Sequence, residues 1–196
     1  MPYNNEICLL INGILQKGNL SDSRFSGAQY HGLTYETIEK DSNEKAFPSE
    51  YKNGNFEQVT VDNNYPLVLW HKLLGKRYDK VTGEQQFGGH LYKTREVTQG
   101  YCVVFANRDV IRVTQENLEA LVALGFPNVI DPELVAPYQM DYCEVNPTGS
   151  SLITAAIWAQ EFKGAELPIT PENYLVRIDY QVITTFRNNC IKICDC

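Results

Sequence analysis

Between Tyr174 and Phe186 the chain alternates without a break. Tyr174, Val176, Ile178, Tyr180, Val182, Thr184 and Phe186 fall on one side, and Arg177, Asp179 and Gln181 on the other. Successive strand residues point to opposite faces, so strict period two with one apolar side describes a strand whose sheet covers a core on one face. Antiparallel sheets tolerate that half-wet arrangement, whereas parallel sheets are buried on both sides. The segment therefore predicts a mainly antiparallel sheet and asks for something to cover it.

Two stretches supply the cover. From Asn5 to Leu15 the residues Ile7, Leu10, Ile11, Ile14 and Leu15 recur at helical spacing, with Gly18 and Asn19 as a stop. A second helix begins at the N-cap Thr114, carries Leu118, Leu121 and Val122 as its stripe, and ends at Gly125 before Pro127. Further strands are expected at Phe56 to Val61, Tyr65 to Leu74, Leu91 to Ala106, Met140 to Val145 and Ser151 to Phe162. Lys76 to Phe87 reads as the tip of a long hairpin. Ser21 to Asn55 is polar and turn-rich, with only Leu33 to Ile38 as a short strand, and reads as a long arm. The expectation is α+β: a two-layer sandwich, mainly antiparallel sheet covered on one face by two helices, with a long polar arm. It forms one domain over 1–196, with the arm at about 21–55 and a short cysteine-containing tail at about 188–196.

Lys plus Arg is 17 against 24 Asp plus Glu, a formal net charge of -7. That balance opposes a protein that grips nucleic acid by neutralising phosphates. No apolar run reaches the roughly 20 residues of a membrane span, and the first residues lack the pattern of a signal peptide. The expectation is a soluble chain made in the cytoplasm.

Chemistry is sparse. His31, His71 and His90 lie in different segments, and no serine sits in a G-x-S-x-G elbow. Gly149-Ser150-Ser151 reads as a turn after Pro147. Asp131 and Glu133 flank Pro132 and read as a loop feature rather than an acid/base pair. Cys8, Cys102 and Cys143 have apolar or aromatic neighbours and read as small buried hydrophobes. An enzyme would have to use Cys102 or Cys143 with His71 or His90. Cys190, Cys194 and Cys196 have spacing that a soft metal tolerates, but no CxxC pair occurs, so no metal site is assigned. Lys76-Arg77-Tyr78 reads as a solvated hairpin tip rather than a phosphate contact. No catalytic, cofactor-binding or metal-binding residue is assigned, and no cofactor is expected. Tyr30, Tyr35 and Tyr51 stand out as aromatics in the polar arm, either folded inward or presented as interface anchors.

The order of elements, closing in Ile178-Asp179-Tyr180-Gln181-Val182-Ile183-Thr184, resembles the tail terminator proteins of long-tailed bacteriophages and related ring proteins of the phage neck. The resemblance implies a non-enzymatic virion subunit forming a homo-oligomeric ring of six or twelve copies. Such a ring joins or terminates the tail and contacts neighbouring neck or tail proteins, and DNA passes through its lumen without specific binding. The alternatives are a small binding or accessory protein of unrelated role and a cysteine-dependent enzyme.

Overall fold

The computed structural model describes residues 3–38, 46–81, 93–154, 158 and 172–186. Its elements run α1 (Tyr3–Lys17), a 3-10 turn (Ser23–Phe25), β1 (Gln29–Ile38), β2 (Ala46–Lys52), β3 (Asn55–Gln58), β4 (Leu67–Val81) and β5 (Lys93–Asn107). Then come α2 (Arg108–Ile111), α3 (Gln115–Gly125), α4 (Pro132–Val135), a second 3-10 turn (Ala136–Tyr138), β6 (Met140–Leu152) and β7 (Asn173–Phe186). The strands form one sheet in the order β3-β2-β1-β4-β5-β7-β6. Every neighbouring pair is antiparallel except β1 with β4. The fold is α+β on a mixed sheet.

The two expected helices lie where their stripes require. Thr114 Oγ1 accepts from Asn117 N–H at 3.3 Å and caps α3, whose Leu118 and Val122 are buried. Ile7, Ile11 and Leu15 of α1 meet them over one sheet face, with Leu67, Leu69, Cys102, Val104, Cys143, Val145, Val176, Ile178 and Tyr180 beneath. The alternation of β7 is observed as expected: Val176, Ile178, Tyr180 and Val182 belong to this cluster, and Arg177, Asp179 and Gln181 turn away.

The opposite face is not simply wet. Val68, Trp70, Tyr101, Val103, Phe105 and Leu175 form a second buried cluster there, closed by Val59, Ile153 and Trp158. Trp70 and Trp158 meet edge to face at 6.4 Å between centroids. Continuous apolar runs such as Leu67-Val68-Leu69-Trp70 report this double burial, because a strand covered on both sides has no polar face to alternate with.

Four expectations need correction. Among the described residues of 21–55, Gln29–Ile38 and Ala46–Lys52 are strands: β1 pairs parallel with β4, and β2 and β3 extend the sheet outward. Asn53 (φ 49°) and Gly54 (φ 88°) form the two-residue turn joining β2 to β3. Several of the positions buried in β1 and β2 are polar, such as Thr34, Ser49 and Glu50, so this region offers no apolar alternation to read. Lys76-Arg77-Tyr78 is not a tip, since β4 stays paired with β5 out to Val81 opposite Lys93. Gly149-Ser150-Ser151 is not a turn but part of β6, which passes an irregularity between Pro147 and Gly149 and remains paired to Leu152. The two strands expected at 140–145 and 151–162 are thus joined through their common part, and of the second only Ser151–Thr154 and Trp158 lie within the described residues.

Candidate functional site

The residues considered for chemistry meet in the middle of the sheet. His71 of β4 lies directly opposite Cys102 of β5, and both are fully buried. The pair does not form a nucleophile and base. Both His71 nitrogens are occupied elsewhere, by Tyr180 at Nδ1 (2.9 Å) and Asn12 at Nε2 (2.8 Å). Burial pushes the Cys102 thiol far above its usual range, and it pushes Cys143 up to about 12, with Glu144 adding to the effect. A nucleophilic cysteine needs thiolate character, which these surroundings suppress. His90 and the Cys190, Cys194 and Cys196 tail lie outside the described residues. Among the described residues no group of three or more His, Cys, Asp or Glu is placed to hold a metal ion. No helix among them is long and apolar enough to cross a membrane.

What His71 does form is a directional chain. Asn12 Nδ2 donates to the His31 carbonyl at 2.8 Å, which turns Asn12 Oδ1 toward His71. His71 Nε2–H then donates to that oxygen, leaving Nδ1 to accept from the Tyr180 hydroxyl. The Cys8 thiol stands 3.9 Å from the Tyr180 oxygen, within hydrogen-bond reach of it. Burial holds the His71 imidazole neutral by lowering its pKa to about 3, against a small opposing pull from Glu50. Burial raises Cys8 to about 12.

A second node sits where β1 meets β2. Glu50 is 3% exposed and its carboxylate accepts from His31 Nδ1 at 3.1 Å, Lys52 Nζ at 2.7 Å and Gly32 N–H at 2.9 Å. Burial is the largest single influence on Glu50 and pushes its pKa up. The hydrogen bonds from His31, Lys52 and Gly32, with the charge of Lys52, together outweigh it and hold the group at about 2. Asn5 Oδ1 accepts from Leu33 N–H at 2.8 Å, and Thr34 Oγ1 donates to the His71 carbonyl at 2.9 Å.

The three arm tyrosines divide. Tyr30 packs against the main core, where burial raises its hydroxyl to about 12. Tyr35 and Tyr51 are 48% and 54% exposed and both stack edge to face on Phe56, itself 53% exposed, at centroid distances of 5.8 and 5.1 Å. This aromatic cluster occupies the three outermost strands on one side of the sheet.

The remaining candidates are structural. Asp131 Oδ1 accepts from Glu133 N–H and caps α4. Ser150 donates to Glu119 at 2.6 Å. Lys76 is bound to the buried Glu96 at 2.5 Å, and Tyr78 is 60% exposed. The narrow space between α1 and the sheet, lined by Ile7, Cys8, Leu73, Glu96, Thr98 and Thr184 among others, measures about 10 Å³. That is room for one water.

Sequence reasoning missed Asn5, Asn12, Glu50 and Phe56. Asn12 carried a signal: it follows Ile11 directly and lies four residues after Cys8, beside the apolar stripe of a helix. A polar side chain there must find a partner inside. No protein-family model matches the chain, and no curated protein matches its sequence.

Proposed function

We propose that the chain is a structural subunit of a phage virion neck or tail, assembling into a homo-oligomeric ring of six or twelve copies that joins or terminates the tail. The observation that carries the reading is the Tyr35–Tyr51–Phe56 cluster on the sheet's outer strands, half exposed and mutually stacked. Rigid aromatics presented in this way are what subunit contacts use as anchors. Among the described residues, His71 is engaged with Tyr180 and Asn12 in the interior, and Glu50 with Gly32. A net charge of -7 suits a lumen through which DNA slides without sticking. The ring contacts neighbouring neck or tail proteins through its two faces.

Negative-stain imaging and native mass measurement across a concentration series test the reading. The expected result is a closed ring of defined stoichiometry that Phe56→Ser converts to monomer. A chain that stays monomeric at the highest attainable concentration, with Phe56→Ser indistinguishable from the parent, sinks it. In that event the same cluster would serve a small binding protein of another role.

A further inference from the structure

We propose that the outer half of β1 together with β2 and β3 is a detachable arm, which opens from the body as one unit by releasing a small set of hydrogen bonds while both apolar cores stay closed. The inference stands independently of the ring reading.

The first support is the division of apolar contacts. Among the described residues, neither buried cluster includes any residue from His31 to Gln58, although Leu33 (7% exposed) and Pro48 are themselves buried outside the clusters. The clusters resume on either side, with Phe25, Ala28 and Tyr30 before the arm and Val59 after it. The second support is the ladder. The regular parallel pairing of β1 with β4 covers Gln29 and Tyr30, and the register slips before Leu33 meets His71. Beyond that point β1 pairs with β2 from Thr34 to Ile38, and β2 pairs with β3. Between β1, β2 and β3 the arm carries its own backbone hydrogen bonds with it; opening must also release the Leu33–His71 pair and the bond from Val59 N–H to the Pro48 carbonyl (2.8 Å), and the slip at His31–Gly32 marks the hinge.

The third support is the chemistry of the attachment. The side-chain hydrogen bonds between the arm and α1 or β4 include Asn5 Oδ1 to Leu33 N–H, Asn12 Nδ2 to the His31 carbonyl, and Thr34 Oγ1 to the His71 carbonyl. Within the hinge, Glu50 braces Gly32 N–H and His31. Contacts of this kind exchange with water at small net cost, whereas separating apolar faces does not. Local opening free energies in a native protein range from near zero to the global value, and units with few buried apolar contacts sit at the low end. Opening would let the Tyr35–Tyr51–Phe56 face swing relative to the body.

Native-state amide hydrogen exchange on the full chain tests this. Amides of β2, β3 and β1 beyond Gly32 are expected to exchange together, at least 100-fold faster than those of β5 and β7, with little dependence on low urea. Thr34→Val should speed the arm's exchange about tenfold and leave β5 and β7 unchanged. Asn5→Ala provides a second release of the same attachment should Thr34→Val fold poorly. Arm amides that exchange at the rate of β5, or variants that speed arm and core equally, overturn the proposal.

Discussion

Replacing His71 by Phe asks how much the buried chain contributes to stability. The ring keeps roughly its volume, so the packing against Tyr180 (centroids 5.7 Å apart) is largely retained. Two hydrogen bonds disappear, and each leaves a buried partner behind: the Tyr180 hydroxyl and Asn12 Oδ1. An orphaned buried polar group costs about 1–3 kcal/mol, so His71→Phe should destabilise by about 2–6 kcal/mol. Against a total of about 5–15 kcal/mol for a native domain, that is severe. The companion change Tyr180→Phe alone orphans His71 Nδ1 and removes the weak partner of the Cys8 thiol. In the double variant neither the Tyr180 orphan nor the His71 Nδ1 orphan exists, so the cost should fall short of the sum by about 2–6 kcal/mol. Urea titrations read as shifts in midpoint at constant slope give all three values. A neutral His71→Phe, or a double variant that is simply additive, refutes the account.

The same residue sets an acid dependence. In the folded chain His71 stays neutral down to a pKa of about 3, and in the unfolded chain its ordinary value is near 6.5. The unfolded state therefore takes up the proton first, and stability is intact above about pH 6.5 and drains away as pH falls toward 3. At about 1.4 kcal/mol per unit the ceiling is on the order of 5 kcal/mol. His71→Phe should flatten stability across that window. A parent protein equally stable at pH 4 and pH 7 contradicts the assignment.

Glu50→Gln should remove a different acid window, because the folded group titrates near 2 and the free group near 4.5. Its stabilising effect is present above pH 4.5 and lost as pH falls toward 2; urea midpoints in a His71→Phe background isolate it, and an unchanged profile speaks against the brace. Gly100→Ala should cost about 1–3 kcal/mol by overpacking, since a Cβ there would lie 2.9 Å from the Lys72 carbonyl oxygen and 2.7 Å from Leu73 Cδ2. A thermal scan showing no loss would mean that the neighbouring strand yields freely. Iodoacetamide should label Cys102 and Cys143 only as fast as the protein unfolds, as mass spectrometry of quenched samples would report; rapid labelling at neutral pH would reopen the cysteine-enzyme reading.

How much of the fold was legible depended on burial. Helices with a one-sided stripe and a strand with one wet face write their periodicity directly into the chain, so α1, α3 and β7 could be read from residues alone. Thr114 and Gly125 even marked the ends of α3. The outer strands left no such record. All four side chains of β3 are exposed, and Glu50 in β2 is buried as a charge held by Lys52, His31 and Gly32 rather than as a hydrophobe. Their existence is fixed by pairing with β1, which only the folded sheet supplies. Asn53-Gly54 was the one local mark of a hairpin there, and its strength lies in the positive φ of both residues.

The buried chain shows the same limit from the other side. His71, Asn12, Tyr180 and Cys8 come from three elements separated by up to 172 positions, and nothing in the spacing of residues brings them together. A sequence containing a cysteine and a histidine at facing strand positions is compatible with a catalytic pair. The difference is made by a third residue: Asn12, oriented through the His31 carbonyl, fixes the imidazole tautomer and leaves its other nitrogen to Tyr180. What such a histidine can do therefore depends on what its neighbours already donate and accept. Here those bonds lead outward through Asn12 to the backbone of β1, so the same imidazole that could have been read as a base is tied to the placement of the arm and its aromatic face.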